Sequence, residues 1–244
     1  AALGIPELAL TTNGQLLAAR AAALRRAGVR RVNVSLDSLR PDVFAALSRG
    51  GVLARTLAGI RAARDAGLGP VKLNTVVLRG RNDTEPPALL RFALRAGCHI
   101  RFLELMPVGE AAKNFEREFV PAAEIRSRLD ALPGLAWTAL PWSPAETSRD
   151  WLVRDEDGRE TVCGFIAPTS RPFCAGCARL RLTSDGRLHG CLARPGAHDL
   201  TPLLAPSGRA GARRRLAEIL ASAFAQKLGP RFDRASPLMA AIGG

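Results

Sequence analysis

Several residue types are scarce in this 244-residue sequence, which has no tyrosine, 5% aromatic residues, five cysteines and three lysines. So few aromatic side chains argue against a binder of single-stranded nucleic acid, because such proteins stack bases on aromatic rings. Five cysteines are too few for a disulfide scaffold, which favours a reducing, cytoplasmic location. No apolar run approaches the roughly 18–20 residues of a membrane span. We therefore expect no membrane association.

The charge is abundant and almost entirely arginine. There are 35 basic residues against 22 acidic ones, for a net charge of +13, and 47% of the residues are apolar, which is ample for a core. A GC-rich genome, which enriches a sequence in Arg and Ala together, accounts for most of this charge. The charge is nevertheless concentrated between Arg171 and Arg215, a segment that contains nine arginines and two aspartates. A local excess of this kind favours an anionic partner.

Strand-like and helical patterns alternate in the first half of the sequence. Glycines at 28, 67 and 97 follow three of the helical patterns, where a left-handed residue commonly ends a helix. We expect loops ahead of the second and fourth helices. The predicted strands are 7–12, 31–36, 72–78 and 99–105. One helix follows each strand: the first ends near Ala27, the second covers about 55–66, the third ends near Ala96, and the fourth covers 122–132. Such alternation predicts a parallel α/β sheet.

One face of these strands is polar. Side chains alternate along a strand, so Thr11, Ser35 and Lys72 each lie on a face opposite apolar neighbours. A sheet covered on both sides would be apolar throughout. The pattern therefore favours a barrel-like sheet with a polar interior that holds a ligand; a sheet with one solvated face is the alternative.

The sequence changes character after about Leu132. Two hairpins are predicted, 151–154 with 160–166 and 179–183 with 187–191, and an amphipathic helix follows from about 209 to 227. We expect two domains, residues 1–133 and residues 134–244, the second an antiparallel β and helical region.

Cys174, Cys177 and Cys191 form a C-x2-C-x13-C array. The second hairpin places Arg179 opposite Cys191, which brings three soft thiolates together beside two arginines, Arg179 and Arg181. Such a set suits zinc, with His189 or His198 as a fourth ligand, or an iron–sulfur cluster. Three ordinary cysteines remain an alternative. Cys98 and Cys163 are expected to be core residues.

Seven segments together resemble the GTP 3′,8-cyclases, which are radical S-adenosylmethionine enzymes of molybdenum cofactor biosynthesis. The resemblance covers nearly the whole chain. The segments are Leu10–Gly14, Val32–Ser38, Val71–Val76, Arg101–Met106, Phe173–Thr183, Leu188–Leu192 and the terminal Gly243-Gly244.

The resemblance implies a partial TIM-like (β/α) barrel without its first strands, and cyclisation of GTP to 3′,8-cyclo-7,8-dihydro-GTP. It implies that Cys174, Cys177 and Cys191 hold a C-terminal [4Fe–4S] cluster with one iron open to the substrate. The further implied site residues are Thr11, Lys72, Arg179, Leu180 and Arg181 for GTP, Ser35 and Met106 for S-adenosylmethionine, and Gly243 and Gly244 as a tail in the active site. Asn74 and Arg101 are weaker candidates.

Two departures from the family pattern stand out. Ala178 replaces the usual Asn after the second cysteine. The C-x3-C-x2-C motif of a second [4Fe–4S] cluster, which cleaves S-adenosylmethionine, is absent from these residues. We therefore expect that the N-terminal part of the barrel is missing and that these residues alone do not catalyse the cyclisation of GTP.

Other functions stay open at this point. One is a zinc-stabilised, basic nucleic-acid-binding module, and another is a radical S-adenosylmethionine enzyme with a different substrate. For the cyclase, the family implies a reductant and a downstream cyclic pyranopterin monophosphate synthase as partners. A homodimer stays open.

Overall fold

The computed structural model describes residues 4–192, 196–204, 211–225 and 227. Up to Asp130, strands and helices alternate as the sequence predicts. In chain order they are β1 (Ala9–Thr12), α1 (Leu17–Arg26), β2 (Arg31–Ser35), α2 (Pro41–Leu47), α3 (Leu53–Asp65), β3 (Lys72–Val76), α4 (Pro86–Ala96), β4 (His99–Leu103), α5 (Ala111–Glu118) and α6 (Ala122–Asp130). The short helices α2 and α5 lie in segments that were expected to be loops.

Three further strands continue the same sheet. They are β5 (Leu135–Ala139), β6 (Ser148–Asp155) and β7 (Glu160–Ile166), and the strand order is β1-β2-β3-β4-β7-β6-β5. Neighbours from β1 to β4 are parallel, β7 is parallel to β4, and β6 and β5 complete the sheet with antiparallel pairs. The α/β class and the mostly parallel sheet are thus confirmed.

The core lies on one face of this sheet. Val32, Val34, Leu73, Ile100 and Phe102, which alternate with polar residues along β2 to β4, are all 0% exposed. Helices α1, α3, α4 and α6 contribute the apolar side chains packed in the same core. Burial of these side chains fixes the strand register, because a shift by one residue would expose the apolar set.

The chain forms two compact units whose boundaries differ from the expected division at residue 133. The first consists of the described residues of Ala1–Leu105 with Glu118–Trp142 and Ser148–Ala167. The second consists of those of Met106–Arg117, Ser143–Thr147 and Pro168–Gly244. The first predicted hairpin is present as β6 and β7. It belongs to the first unit because β7 pairs with β4 along Ile100–Leu103.

The second unit is built on a short three-stranded sheet. Its strands are β8 (Arg181–Leu182), β9 (Arg187–His189) and β10 (His198–Asp199), in the order β10-β9-β8, and its later helices are α7 (Thr201–Leu204) and α8 (Ala212–Ala225). The register Arg181 to His189 confirms the second predicted hairpin. In the parts of the chain that the structure describes, no helix has the length and apolar character to cross a membrane.

Candidate functional site

A row of polar side chains crosses the first four strands on the face opposite the core. Thr11 pairs with Asn33, Asn33 with Lys72, and Lys72 with His99, so these four residues are neighbours across β1 to β4. Thr11 is exposed, and the other three are half-buried. Two of the expected GTP residues, Thr11 and Lys72, therefore lie in one row, separated by a single strand.

A second row lies nearer the carboxyl ends of the strands. Ser35 pairs with Asn74, Asn74 with Arg101, Arg101 with Gly164, and Gly164 with Asp150. Ser35, expected to bind S-adenosylmethionine, thus shares this row with the two weaker candidates. The parallel register explains why residues far apart in sequence meet here.

Hydrogen bonds connect the two rows but leave two atoms without partners. The Arg101 guanidinium donates to Asn33 Oδ1 at 2.7 Å, and Asn33 Nδ2 donates to Thr11 Oγ1 at 3.1 Å. Among the described residues, Asn74 Oδ1 and Arg101 Nε are buried and have no hydrogen-bond partner. Because an unpaired buried polar atom is costly, this donor and acceptor fit a polar ligand on this face.

The charges on the same face are mostly positive. Burial, and then the neighbouring charges of Arg101 and Arg31, lower the pKa of Lys72 against the opposing effect of Asp150 and Glu7. Burial and the charge of Lys72 likewise lower the pKa of His99. Cations that repel one another in this way are suited to an anionic ligand, which would relieve the repulsion.

A buried polar network holds the carboxyl ends of β2 and β3 together. Asn82, which is 0% exposed, donates to the carbonyls of Asp37 at 2.7 Å and Val76 at 2.9 Å. It also accepts from the N–H of Leu78 at 2.7 Å. The Asp37 carboxylate accepts from the N–H of Val76 at 2.9 Å. These bonds fix the strand ends that carry Ser35 and Asn74.

A second buried group, the Glu85 carboxylate, holds the segment that follows β2. The Glu85 carboxylate accepts from the Ser38 hydroxyl at 2.7 and 2.8 Å and from the N–H of Leu39 at 2.9 Å. Glu85 is 6% exposed and Ser38 is 0% exposed. Neither buried group was predicted from the sequence, although an Asn and a Glu in the turn between β3 and α4 are signals of such a network.

The three cysteines of the array lie in the second unit. Cys174 opens a turn of 3₁₀-helix that ends at Gly176, and the N–H of Cys177 donates to Cys174 O at 3.1 Å. Cys191 follows β9, where continuation of the hairpin register places it opposite Arg179. All three thiols are free and half-buried. A Cβ on Gly176 would collide with the carbonyl of Pro144, so this turn requires glycine.

The thiols influence one another electrostatically. Burial, then the charges of Cys191 and Cys177, raise the pKa of Cys174. Burial would also raise the pKa of Cys177, but the backbone N–H of Arg179 and the charges of Arg179 and Lys227 outweigh it and lower that pKa. The three sulfurs are therefore close enough for their charges to matter, and one of them has cationic support.

The donor set fits an iron–sulfur cluster better than a single ion. Within residues 4–192, 196–204, 211–225 and 227, no three Cys, His, Asp or Glu side chains converge on one position where a metal ion could bind. In a [4Fe–4S] cluster each thiolate binds a different iron, so the sulfurs need not converge in this way. Three soft thiolates, of which Cys177 is stabilised as the anion, suit iron.

The arginines beside the thiols differ in their surroundings. Arg179 lies with Nη1 3.9 Å from Cys177 Sγ and its guanidinium 5.1 Å from the centre of the Phe173 ring. For Arg181, burial and then the charge of Arg179 lower the pKa, against the thiols, which raise it. Its cross-strand partner His189 is 7% exposed, and Nδ1 of His189 has no partner among the described residues. Leu180, between the two arginines, is half-buried.

The remaining predicted residues are distributed as follows. Met106 is half-buried and belongs to the second unit, and its carbonyl accepts from Val108 N–H at 2.8 Å. Gly243 and Gly244 lie outside the described residues. Cys98 and Cys163 are both 0% exposed, which confirms them as core residues. Burial raises the pKa of Cys98 to about 11.

Comparison with known families gives two adjoining matches. Residues 1–93 match the Radical SAM superfamily, and residues 98–230 match the family described as Molybdenum Cofactor Synthesis C. The second match includes all three cysteines of the array. An α/β protein with a mostly parallel sheet and a separate three-cysteine unit is thereby placed in the radical SAM superfamily.

Individual relatives narrow this class. The chain is 42% identical to the GTP 3′,8-cyclase of Pelotomaculum thermopropionicum over 92% of its own length and 67% of that protein. It is 43% identical to the GTP 3′,8-cyclase of Rhodopseudomonas palustris strain TIE-1, over 93% of the chain and 62% of that protein. The chain is 41% identical to the GTP 3′,8-cyclase of Streptomyces coelicolor, over 98% of the chain and 70% of that protein. The chain thus spans about two thirds of the length of these relatives.

The chain belongs to the GTP 3′,8-cyclase family of radical SAM enzymes in molybdenum cofactor biosynthesis. The family resemblance seen in the sequence is confirmed. This membership supports the cyclase function over a zinc-stabilised nucleic-acid-binding module.

Proposed function

We propose that these residues form the GTP-binding portion of a GTP 3′,8-cyclase, which joins C3′ of the ribose to C8 of the purine. The observation that carries the proposal is the grouping of Cys174, Cys177 and Cys191 with Arg179 and Arg181 in one small unit. Family membership adds the substrate, because the relatives are named for GTP. The mostly parallel sheet is proposed to be part of a radical SAM barrel.

In this proposal the three thiolates hold a [4Fe–4S] cluster. The bound cluster supplies an iron without a protein ligand, at which the substrate base can bind. Arg179 and Arg181 bind the triphosphate, since guanidinium groups pair with phosphate oxygens through charge-assisted hydrogen bonds. The half-buried Arg181 would gain most, because an anion relieves the unfavourable burial of its charge.

The polar rows of the sheet supply further proposed contacts to the two ligands, GTP and S-adenosylmethionine. Lys72 and Thr11 are proposed to contact GTP, and Ser35 and Met106 to contact S-adenosylmethionine. The unpaired atoms Asn74 Oδ1 and Arg101 Nε support a polar ligand on this face. We also propose a cytoplasmic location, which suits five free thiols.

Turnover requires a radical source. The 244 residues contain no C-x3-C-x2-C motif. We therefore propose that they bind GTP and one cluster but do not turn over unless polypeptide with that motif is supplied. A reductant, and a synthase that consumes the cyclised product, complete the set of proposed partners.

The test is anaerobic reconstitution followed by GTP binding. We expect about four irons and a broad visible absorption band, both lost in C174A, C177A or C191A and retained in C98A. In calorimetry, GTP binding should be lost when Arg179→Ala is combined with Arg181→Ala. Arg187→Ala is the matched control, because Arg187 lies on the same hairpin but pairs with Asp185 in an exposed position. A colourless zinc protein, or equal GTP affinity in all variants, would contradict the proposal.

A further inference from the structure

Within the part of the chain that the structure describes, Cys177 differs from the other two thiols in having two cationic side chains in contact with it. The Lys227 ammonium lies 3.7 Å from Cys177 Sγ, and Arg179 Nη1 lies 3.9 Å from the same sulfur. Lys227 also donates a hydrogen bond to the carbonyl of Arg179. The ammonium therefore joins the sulfur to the backbone of the arginine segment.

The position of Lys227 is set by the packing of α8. A Cβ on Gly190, which follows β9, would collide with the carbonyl of Ala223, so glycine is required for the helix to approach the hairpin this closely. Ala223 is 0% exposed. Lys227 follows the end of α8, and its N–H donates to Phe224 O at 3.1 Å. The close helix–hairpin contact thus brings the ammonium to the thiol.

The choice of lysine is informative in this sequence. Only three of the 35 basic residues are lysines. Lys113 forms an exposed pair with Glu110 at 2.9 Å, and Lys72 lies in the sheet unit. An ammonium is a compact charge whose donors point in several directions, so it can serve a sulfur and a carbonyl together. A planar guanidinium is less suited to that pair of acceptors.

The two cations at Cys177 are not equivalent. Arg179 is held by weaker contacts, its Nη2 donating to Ala145 O at 3.5 Å and its guanidinium stacking at 5.1 Å on Phe173. These contacts allow it to turn towards an anionic ligand. Lys227, tied to the Arg179 carbonyl and to α8, has no such freedom.

We propose that the Lys227 ammonium stays beside Cys177 and balances the charge of its thiolate, while Arg179 turns to the anionic ligand. The inference rests on the proposed function in that the thiols hold a cluster. Positive charge and N–H donors at a cluster sulfur favour the reduced state. Lys227 therefore raises the reduction potential of the bound cluster.

The test compares the anaerobically reconstituted 244-residue protein with three variants, K227M, K227R and K113M. Iron content and circular dichroism establish loading and folding, and a redox titration followed by electron paramagnetic resonance gives the midpoint potential. We expect K227M to shift the midpoint to a more negative value. K227R, which keeps the positive charge but fits the two acceptors less well, should restore only part of the midpoint potential. K113M, which removes a lysine that has no contact with a thiol, should leave the midpoint unchanged.

The possible outcomes separate this inference from the proposed function. If the wild-type protein binds no cluster, the proposed function fails. If wild-type protein and K227M carry the same iron and the same midpoint, the proposed function stands and the role of Lys227 is overturned. Loss of iron from a folded K227M with retention in K227R supports the role, whereas loss from both overturns it. Should K227M fail to fold, K227Q gives the same comparison without the charge.

Discussion

The polar rows of the sheet and the thiols of the hairpin are positioned by different means. The sheet residues follow a strand register that is fixed by a fully buried face, including Val34, Leu73 and Ile100, each 0% exposed. The thiols lie on a single 3₁₀ turn and beside strands of two and three residues, and all are half-buried. We therefore expect the polar rows to be preformed and the thiols to gain order from the ligand that they bind.

The largest effect that would test this comparison is at the strand ends. Asn82→Ala removes two donated bonds and one accepted bond and leaves the carbonyls of Asp37 and Val76 without that donor. We expect a loss of about 3 kcal/mol in the free energy of unfolding, measured by urea denaturation. Asn114→Ala, on exposed α5, should change it by less than about 0.5 kcal/mol. Equal effects of the two substitutions would show that the network does not hold the strand ends of the sheet together.

The next effect depends on pH. Burial raises the pKa of Asp37 from 3.8 to about 6, despite its bond from Val76 N–H. Because the folded-state pKa is raised, the protonated carboxyl contributes stability that is complete below about pH 4 and is lost as the pH rises through about 6. Asp37→Asn should therefore stabilise the protein by about 2 kcal/mol at pH 7 and by almost nothing at pH 3.5. Denaturation of both proteins across this range checks the sign; no gain at pH 7 would contradict it.

The smallest effect compares a stacked arginine in each unit. The Arg126 guanidinium lies 4.1 Å from the centre of the Trp137 ring and 4.7 Å from that of Trp151. Arg126→Met should cost about 1 kcal/mol of unfolding free energy, and Arg179→Met less than about 0.5 kcal/mol. Thermal and urea denaturation measure both. A larger cost for Arg179→Met in the metal-free protein would mean that the turn carrying the thiols is as firmly built as the sheet.

Local patterns predicted much of this fold. Alternation placed Thr11, Ser35 and Lys72 on a polar face, and the turn at Ser184-Asp185-Gly186 fixed the hairpin that brings Arg179 opposite Cys191. Helix α2 was missed because it is short and begins at Pro41, and proline also suits a loop. The parallel pairing of β7 with β4 was missed because it joins strands far apart in sequence, with no local signal for it.

Some parts of the candidate site could be predicted from the sequence and others could not. Cysteine spacing indicated a set of thiols suited to a metal centre, and the family resemblance implied the nucleotide and Met106; these assignments stay predictions. The hydrogen bonds of Asn82 and the proposed role of Lys227 were not predicted, because both depend on contacts between distant segments: Asn82 with Asp37, and Lys227 with Cys177. Contacts of that kind are formed by tertiary packing and have no periodic signature in the sequence.

The most direct test of the account is the electron paramagnetic resonance spectrum of the reduced, reconstituted protein with and without GTP. If the three thiolates leave one iron open to the substrate base and the arginines bind the triphosphate, GTP should change the cluster spectrum and CTP should change it less. The change should disappear when Arg179→Ala is combined with Arg181→Ala, with the iron content retained. A loaded cluster whose spectrum is the same with and without GTP would contradict the account.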